Sequence, residues 1–284
     1  MRVMRLLVIG AAGMLGQDLL AAARAAGHEP VGLDLPELDI TDSEATLAAV
    51  REVAPDAVVN CAAWTDVDGA EAQEELAARV NAEGAANVAA AAAAAGAHAI
   101  QISTDYSFDG TATEPYTESS PTNAIGAYGR TKLAGELAVA EVATPRFAIV
   151  RSSWLFGPHG KNFVDTILRL GAERGELSVV SDQVGCPTYT GHLAEALVDI
   201  AERRLTGVLH VAGGGSCSWY ELAVAALDAA GVECTVTPTT AAEYGRPAPR
   251  PAYSVLVSER DDAPRLPTWQ EGLAAHLAAS RALT

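Results

Sequence analysis

The chain has 284 residues, of which 49% are hydrophobic, so it can bury a large core and is not expected to be disordered. Its formal net charge of −17 disfavours nucleic acid and anionic membranes as partners, although a few local cations can still bind an anionic substrate. The four cysteines show neither zinc-like nor redox-like spacing, which favours reduced thiols, and we predict no metal site.

Short apolar runs alternate with alanine-rich helical stretches through the first half of the chain. Predicted strands cover 6–9, 31–35, 57–60, 98–103 and 146–151, and predicted helices cover 15–26, 43–53, 71–95 and 127–142. This alternation is typical of an α/β protein with a Rossmann-type, doubly wound parallel sheet that carries helices on both faces. Ligands of such sheets bind at the carboxyl edge of the strands.

A glycine-rich turn follows the first predicted strand. Gly10 permits a tight turn, Gly13 lets the backbone approach a phosphate, and Gly16 lets the next helix pack on the strand. The spacing G-x-x-G-x-x-G is weak evidence alone, but its place between a strand and a helix predicts a dinucleotide cradle. Three further residues of the turn are expected to contact the cofactor: Ala12, Met14 and Leu15.

Asp34 ends the second predicted strand, where a carboxylate can bind the adenosine ribose, although an ordinary loop aspartate fits equally well. No Lys or Arg lies between Val31 and Asp42, so a 2′-phosphate would find little positive charge and electrostatics favour NADH. Asp39 and Ile40 are expected to flank the adenine. Small residues after the third strand let a flat cofactor approach the backbone, and four contacts are predicted there: Cys61, Ala62, Ala63 and Thr65.

Tyr128 and Lys132 lie four residues apart in a predicted helix, which places them on one helix face. A nearby cation lowers the pKa of a phenol from about 10, so that Tyr128 can protonate a carbonyl oxygen as hydride arrives at carbon. Thr104, at the end of the fourth strand, offers a hydroxyl to the same oxygen. Two ordinary surface residues are the alternative, which the upstream glycine turn makes less attractive.

The alternation loosens after residue 155. Helices are predicted over 163–173, 191–204, 219–230 and 268–283, strands over 178–180 and 208–212, and irregular chain over 238–251. We therefore assign 1–155 to an NAD(P)-binding Rossmann domain. Residues 156–284 are assigned mainly to a smaller C-terminal substrate-binding lobe, with some segments returning to pack on the Rossmann domain.

Longer segments carry a more specific signal. They comprise 58–68, 103–110, 128–136, 151–156, 162–163, 182–188 and 250–251, together with the three glycines. Nearly from end to end, these segments resemble the dTDP-4-dehydrorhamnose reductases, a family of extended short-chain dehydrogenase/reductases. The S-T-D-Y run at 103–106 and the D-Q-x-G-x-P-T run at 182–188 are specific to this family, whereas the glycine and Tyr-Lys motifs indicate only the superfamily.

The resemblance implies a reductase that converts the C4 ketone of dTDP-4-dehydro-6-deoxy-L-mannose into the alcohol of dTDP-L-rhamnose, with NADPH and often NADH as the reductant. Thr104, Tyr128 and Lys132 are the implied catalytic set, and Lys132 would also hold the nicotinamide ribose. The implied substrate contacts are Trp154 on the sugar, Asn162, Gln183 and Arg250 on the nucleotide and diphosphate, and Val67, Thr104, Asp105 and Tyr106 at the pocket.

Two other functions stay open. One is a sister reductase of another dTDP-4-keto-6-deoxyhexose, because Ser107 and Cys186 depart from the family pattern near the pocket. The other is a non-catalytic regulatory subunit of the methionine adenosyltransferase type, which the intact Thr104, Tyr128 and Lys132 disfavour. Some family members form magnesium-linked dimers, so a homodimer is a candidate assembly, and we expect a cytoplasmic protein.

Overall fold

The structure is a computed structural model that describes residues 2–143 and 145–282. Its strands are β1 (Arg5–Ile9), β2 (Glu29–Leu33), β3 (Ala57–Asn60), β4 (His98–Thr104), β5 (Phe147–Ser152), β6 (Leu155–Phe156), β7 (Glu176–Val180), β8 (Val184–Gly185), β9 (Thr188–Tyr189), β10 (Gly207–His210), β11 (Cys217–Ser218) and β12 (Thr235–Thr239). Its helices are α1 (Met14–Ala25), α2 (Ser43–Val53), α3 (Val67–Ala72), α4 (Glu74–Ala78), α5 (Ala85–Ala94), α6 (Ala127–Val142), α7 (Phe163–Arg174), α8 (Thr190–Arg203), α9 (Trp219–Ala230), α10 (Ala241–Tyr244) and α11 (Trp269–Ala282). The predicted end of the last helix at residue 283 lies outside the described residues.

Six parallel strands form the central sheet in the order β2-β1-β3-β4-β5-β10. The chain runs outward from β1 to β2 and then crosses to the other side of β1, so the strand order reverses between β1 and β3. Such a reversal opens a crevice beyond the carboxyl ends of the two strands. The predicted doubly wound α/β fold is confirmed.

Two helical layers cover the sheet. On one face, Leu6 and Val8 of β1 share a core with α1 and α8, while Leu7 and Ile9 face α2, α5 and α6 on the other. All four side chains are buried. Burying each of them stabilises the fold by about 1.5–3 kcal/mol, which explains why parallel strands are apolar on both faces.

The C-terminal part of the chain forms smaller units beside the sheet edge. The strands β7 and β12 pair in parallel, and α7 and α9 pack against them around Leu177 and Leu227. The segment 190–210 differs, because α8 packs on α1 and β10 forms the outer strand of the main sheet. The two-domain division at residue 155 stays a prediction. No helix among the described residues combines the length and apolarity needed to span a bilayer.

The predicted single helix over 71–95 was wrong. The chain instead forms α3 and α4 with a break at Gln73, then a π-helical turn (Arg79–Gly84), and only then α5. Asn81 lies in that turn, and its amide accepts a hydrogen bond from Trp64 N at 2.8 Å and donates to Thr131 Oγ1 at 3.0 Å. These buried bonds fix a local geometry that helical propensity alone does not reveal.

The stretch 238–251, predicted to be irregular, is ordered in its first half. Its start belongs to β12, which forms a two-stranded sheet with β7. Pro238 is tolerated there because an edge strand does not need a backbone N–H at every position, and proline has none. The short helix α10 follows, and a capping box formed by Thr240 and Glu243 satisfies its first N–H groups. The second predicted strand is also shifted by two residues, to Glu29–Leu33.

Candidate active site

A cleft of about 1210 Å³ lies at the carboxyl edge of the sheet, between the strand ends and segments of the C-terminal part. It brings together most of the residues predicted from the sequence: Gly10, Gly13, Met14, Leu15, Gly16, Asp34, Asp39, Ile40, Cys61, Ala62, Ala63, Thr65, Val67, Thr104, Asp105, Tyr106, Tyr128, Lys132, Trp154, Gln183 and Arg250. Ala12 and Asn162 are the two predicted residues that do not line it.

The glycine turn leaves no room for side chains. Gly10 has a φ of +80°, and a Cβ there would lie 2.6 Å from Ala62 N, so the turn requires glycine. A Cβ at Gly16 would collide with the Gly10 carbonyl. Gly13 is the N-cap of α1, and no side chain caps the helix end. A bare helix N-terminus at a strand-to-helix turn fits the pyrophosphate of a dinucleotide.

Asp34 braces this turn. Its Oδ2 accepts a hydrogen bond from Ala12 N at 2.8 Å, and its Oδ1 accepts one from Leu35 N at 2.8 Å. The Ala12 amide is thereby engaged by the carboxylate. Asp34 itself lines the cleft together with Asp39, whose pKa is lowered by hydrogen bonds from Thr41. Two carboxylates therefore border the predicted adenosine end.

The predicted catalytic residues meet at the centre of the cleft. Tyr128 is in the first turn of α6, and its hydroxyl lies beside that of Thr104 at the end of β4, which favours the ionised phenol. Lys132, one turn further, is 4% exposed and donates from Nζ to the Ile102 carbonyl at 2.7 Å. Gly129 lies between them, and a Cβ there would collide with the Tyr106 carbonyl. The helix can approach the turn that follows β4 this closely because of that glycine.

Burial moves the pKa values of both groups away from their ordinary range. It raises the pKa of Tyr128 to about 12, although the Thr104 hydrogen bond favours the ionised form. It lowers the pKa of Lys132 to about 8, opposed by the negative charge of Glu136. The expected net lowering of the Tyr128 pKa was therefore wrong for this structure, because desolvation raises this pKa and outweighs the influences that favour the phenolate.

The residues after Thr104 continue the cleft wall. Asp105 is 2% exposed, and burial raises its pKa to about 7. Tyr106 contacts the Tyr128 ring edge-on at a centroid distance of 5.8 Å, and the positive charge of Arg250 favours its ionised form. Tyr106 therefore lies near both the catalytic tyrosine and the arginine predicted to contact the substrate.

Trp154 forms the opposite wall. It has a φ of +50°, an uncommon conformation for a bulky residue, which costs of order 1–3 kcal/mol unless the surroundings enforce it. Its indole stacks on Trp219 with ring centroids 3.5 Å apart and planes inclined by 5°, and Trp219 in turn contacts Phe163. One face of the Trp154 indole is therefore covered by protein.

The side chain of Arg250 can contact a substrate in the cleft, whereas the side chain of Asn162 is occupied by other hydrogen bonds. Arg250 lines the cleft and is held by Asp68 Oδ1, which accepts from its Nη1 at 3.0 Å. Asn162 is engaged elsewhere, because its Oδ1 caps α7 by accepting from Asp165 N at 2.9 Å and its amide donates to the Gly157 carbonyl. The prediction that Asn162 contacts the substrate therefore has no support in this geometry.

The cleft also contains residues that the sequence analysis did not single out. Lys161 and Arg246 add positive charge, Tyr244 adds a ring, and Trp219 supports Trp154. Arg246 shares the Pro/Arg-rich stretch with Arg250, which offered a signal, whereas nothing local marks Lys161 or Trp219. Among residues 2–143 and 145–282, no group of three or more His, Cys, Asp or Glu side chains is arranged to hold a metal ion.

Comparisons with known proteins agree with this site. The family described as RmlD substrate binding domain matches residues 4–282. A dTDP-4-dehydrorhamnose reductase of Streptomyces griseus is 44% identical over 262 residues, which cover 90% of this chain and 86% of that protein. A dTDP-4-keto-6-deoxy-D-glucose reductase of Streptomyces niveus is 42% identical over 253 residues, covering 89% and 88%.

Solved structures agree as well. The crystal structure of a dTDP-4-dehydrorhamnose reductase from Bacillus anthracis in complex with NADP matches with a TM-score of 0.95 and 38% identity, covering 98% of this chain and 100% of that one. The match includes the sheet and the C-terminal segments that border the cleft. This chain belongs to the RmlD substrate binding domain family, the family of the dTDP-4-dehydrorhamnose reductases that its motifs resemble.

Proposed function

We propose that this protein reduces dTDP-4-dehydrorhamnose to dTDP-L-rhamnose with NADPH or NADH. The observation that carries the proposal is the position of Thr104, Tyr128 and Lys132 in the same cleft as the glycine turn. Family membership supports the activity, since the Streptomyces griseus relative is named for it. The NADP-bound neighbour from Bacillus anthracis supports the class of cofactor.

The chain's own residues supply the proton and the orientation. A bound reduced dinucleotide supplies hydride to the carbonyl carbon of the sugar. Tyr128 donates its proton to the carbonyl oxygen, and such positioned proton transfer accelerates a reaction by about 10²–10⁴-fold. Thr104 offers a hydroxyl to the same oxygen. Lys132 stabilises the phenolate that Tyr128 leaves behind and orients the nicotinamide ribose.

The cofactor end of the cleft holds the adenosine and the pyrophosphate. The pyrophosphate binds at the glycine turn, whose tight conformation needs glycine at position 10 because a Cβ there would collide with the backbone of Ala62. Asp34 accepts hydrogen bonds from the ribose hydroxyls, and its negative charge disfavours a 2′-phosphate. We therefore infer that NADH is used readily even if NADPH is also accepted.

The substrate end combines an aromatic wall with cations. Trp154 bounds the sugar, Gln183 faces the nucleotide, and Arg250 attracts the diphosphate, helped by Lys161 and Arg246. These local positive charges overcome the net charge of −17, because a charge acts most strongly within a Debye length of about 8–10 Å. Asn162 is not part of this proposal, since it caps α7.

The deciding experiment mixes the purified protein with dTDP-4-dehydrorhamnose and NADPH or NADH and follows the loss of reduced-cofactor absorbance, with the product identified by NMR. Tyr128→Phe should lose about 10²–10⁴-fold in turnover and still bind the dinucleotide. Tyr220→Phe, which alters a tyrosine outside the cleft, should keep wild-type turnover. Retained turnover in Tyr128→Phe would contradict the assigned proton donor.

A second candidate is a reductase of another dTDP-4-keto-6-deoxyhexose, which the Streptomyces niveus relative favours. Running the same assay with dTDP-4-keto-6-deoxy-D-glucose distinguishes the two, because each candidate function predicts faster turnover of its own sugar. A protein that binds the dinucleotide but turns over neither sugar would instead support the regulatory alternative. A homodimer and a cytoplasmic location remain predictions, to be checked by light scattering and by fractionation.

A further inference from the structure

Asp105 is a buried carboxyl group beside the catalytic hydroxyls. It directly follows Thr104 at the end of β4, lines the cleft, and is 2% exposed. Its Oδ2 has no hydrogen-bond partner among the described residues. An ionised carboxylate with a buried, unpaired oxygen is costly, so this environment favours the neutral acid.

The Thr104 hydroxyl is a neighbour of both this carboxyl group and the Tyr128 hydroxyl. Thr104 Oγ1 donates a hydrogen bond to Asp105 Oδ1 at 3.1 Å, and it lies close enough to the Tyr128 hydroxyl to favour the ionised form of that phenol. The Tyr106 amide donates to Thr104 Oγ1 at 3.1 Å, which fixes the position of that oxygen between the other two groups. A carboxyl group, a hydroxyl group and a phenol therefore adjoin one another in this order, and Thr104 can pass a proton on when Asp105 is protonated and the Thr104 O–H turns toward Tyr128.

We propose that Asp105 returns a proton to Tyr128 through the Thr104 hydroxyl during each turnover. The inference rests on the proposed ketone reduction, because only that reaction removes the Tyr128 proton. It gives Asp105 a role different from the substrate contact predicted from the sequence. Asp105 acts through its neighbour and need not touch the sugar.

The relay consists of three proton transfers, and in each of them one O–H bond breaks as another forms. The Tyr128 O–H bond breaks as an O–H bond forms at the sugar oxygen, which hydride transfer has left negatively charged. The Thr104 O–H bond then breaks as the Tyr128 O–H bond re-forms, and the Asp105 O–H bond breaks as that of Thr104 re-forms. Asp105 ends as a carboxylate and regains a proton from water after the product leaves the cleft.

The pKa of Asp105 is appropriate for a group that donates a proton and regains it near neutral pH. Burial raises its pKa to about 7, while hydroxyl groups of Thr104 and Ser254 beside the carboxyl favour the ionised form. The titratable groups that face it are Tyr106, Tyr128 and Cys186, whose pKa values burial also raises, so they stay neutral near pH 7. A substantial fraction of Asp105 is thus protonated at neutral pH, and it can both give and regain a proton there.

A purely positioning role is the competing explanation. Asp105 Oδ1 could simply hold the Thr104 hydroxyl, and an amide oxygen would do this equally well. Asp105→Asn separates the two, since asparagine keeps the acceptor and the shape but has no proton to give. The pH profile of turnover is the readout that positioning alone would leave unchanged.

The test measures kcat against pH with dTDP-4-dehydrorhamnose and saturating NADPH. The wild-type pH profile should have an alkaline limb, which is a fall in kcat as pH rises through about 7, because the relay needs the protonated acid. Asp105→Asn should lose about 10²-fold in kcat at pH 6 and lose this limb, while still binding NADPH. Full turnover, or a lower kcat with the limb near 7 intact, would overturn the relay. A wild-type protein without ketone reduction would instead overturn the proposed function.

Ser254→Ala provides a second test that keeps the acid. Removing a hydroxyl that favours the ionised form should raise the Asp105 pKa, so the limb should move to higher pH while turnover at pH 6 is retained. An unchanged limb in Ser254→Ala would also count against the relay. This variant decides the question even if Asp105→Asn fails to fold.

Discussion

Glu136 and Arg151 form a buried ion pair directly beneath the catalytic residues. Arg151 Nη2 donates to Glu136 Oε2 at 2.7 Å and Nε donates to Oε1 at 3.0 Å, with both side chains about 95% buried (5% and 4% exposed). The Ser107 hydroxyl also donates to Oε1, at 3.1 Å. Because Glu136 lies one turn after Lys132 on α6, the pair fastens the catalytic helix to β5.

Glu136→Gln should therefore destabilise the protein strongly. The substitution leaves the Arg151 guanidinium buried without its counter-charge, and breaking a buried pair in this way costs about 3–5 kcal/mol. Equilibrium unfolding in urea measures the change in the free energy of unfolding. Glu173→Gln is the matched control, because its pair with Arg169 is more than half exposed and should change stability by less than about 1 kcal/mol. Equal effects of the two variants would contradict the structural role of the buried pair.

Lys132→Met should abolish most turnover without unfolding the protein. Methionine fills a similar volume, but it has no charge to stabilise the Tyr128 phenolate. We expect kcat to fall by about 10²-fold or more, with the far-ultraviolet circular dichroism unchanged. An unfolded variant would show that Lys132 is structural, and a variant with normal turnover would remove it from the mechanism.

The pH dependence of stability gives an independent check on Lys132. Its pKa is lowered from 10.5 in the unfolded chain to about 8 in the folded one. Below pH 8 both states hold the proton, whereas between about pH 8 and 10 chiefly the unfolded chain does. The unfolded state then binds more protons, so the free energy of unfolding should rise with pH across this window. The rise should be smaller in Lys132→Met than in wild type, and equal slopes would mean that the pKa of Lys132 is not lowered.

Local sequence patterns predicted the residues at the centre of this site. They did not predict the residues that hold those side chains in place. The glycine turn, Thr104 and the Tyr128–Lys132 pair each follow from a strand end or a helical spacing, which short-range sequence reveals. The Trp219 stack on Trp154 depends instead on how α9 packs against a distant loop. The π-helical turn around Asn81 depends on hydrogen bonds to residues far along the chain. Such contacts arise from tertiary packing and leave no periodic signal.

The effect of burial on pKa values was the other property that could not be predicted from the sequence. Helical spacing correctly placed Lys132 one turn from Tyr128, but it could not show that burial raises the Tyr128 pKa to about 12. The same holds for Asp105, which reads as an ordinary turn residue until its 2% exposure is known. Charge neighbours can be estimated from spacing, whereas burial requires the folded chain.

Asp34→Asn should raise the preference for NADPH relative to NADH. Asparagine can still accept the Ala12 amide through its one oxygen, although it loses the bond from the Leu35 amide, and the charge that repels a 2′-phosphate is removed. A like charge about 4 Å away costs about 1 kcal/mol in water, which corresponds to about a fivefold change in the ratio of kcat/KM values. Asp42→Asn is the control, because asparagine caps α2 equally well and Asp42 does not line the cleft. An unchanged ratio in Asp34→Asn would place the ribose contact elsewhere.

Trp219→Leu should weaken sugar-nucleotide binding without affecting the dinucleotide. Trp154 is held at a φ of +50° against the Trp219 ring, and an aromatic stack of this kind is worth about 0.5–1.5 kcal/mol. Without it, the Trp154 indole gains alternative orientations, and KM for the sugar nucleotide should rise by about 2–10-fold. Trp219→Phe retains a ring and should recover part of the loss. If KM for the sugar nucleotide stays constant while only stability falls, Trp219 supports the fold of the lobe and does not orient the Trp154 wall.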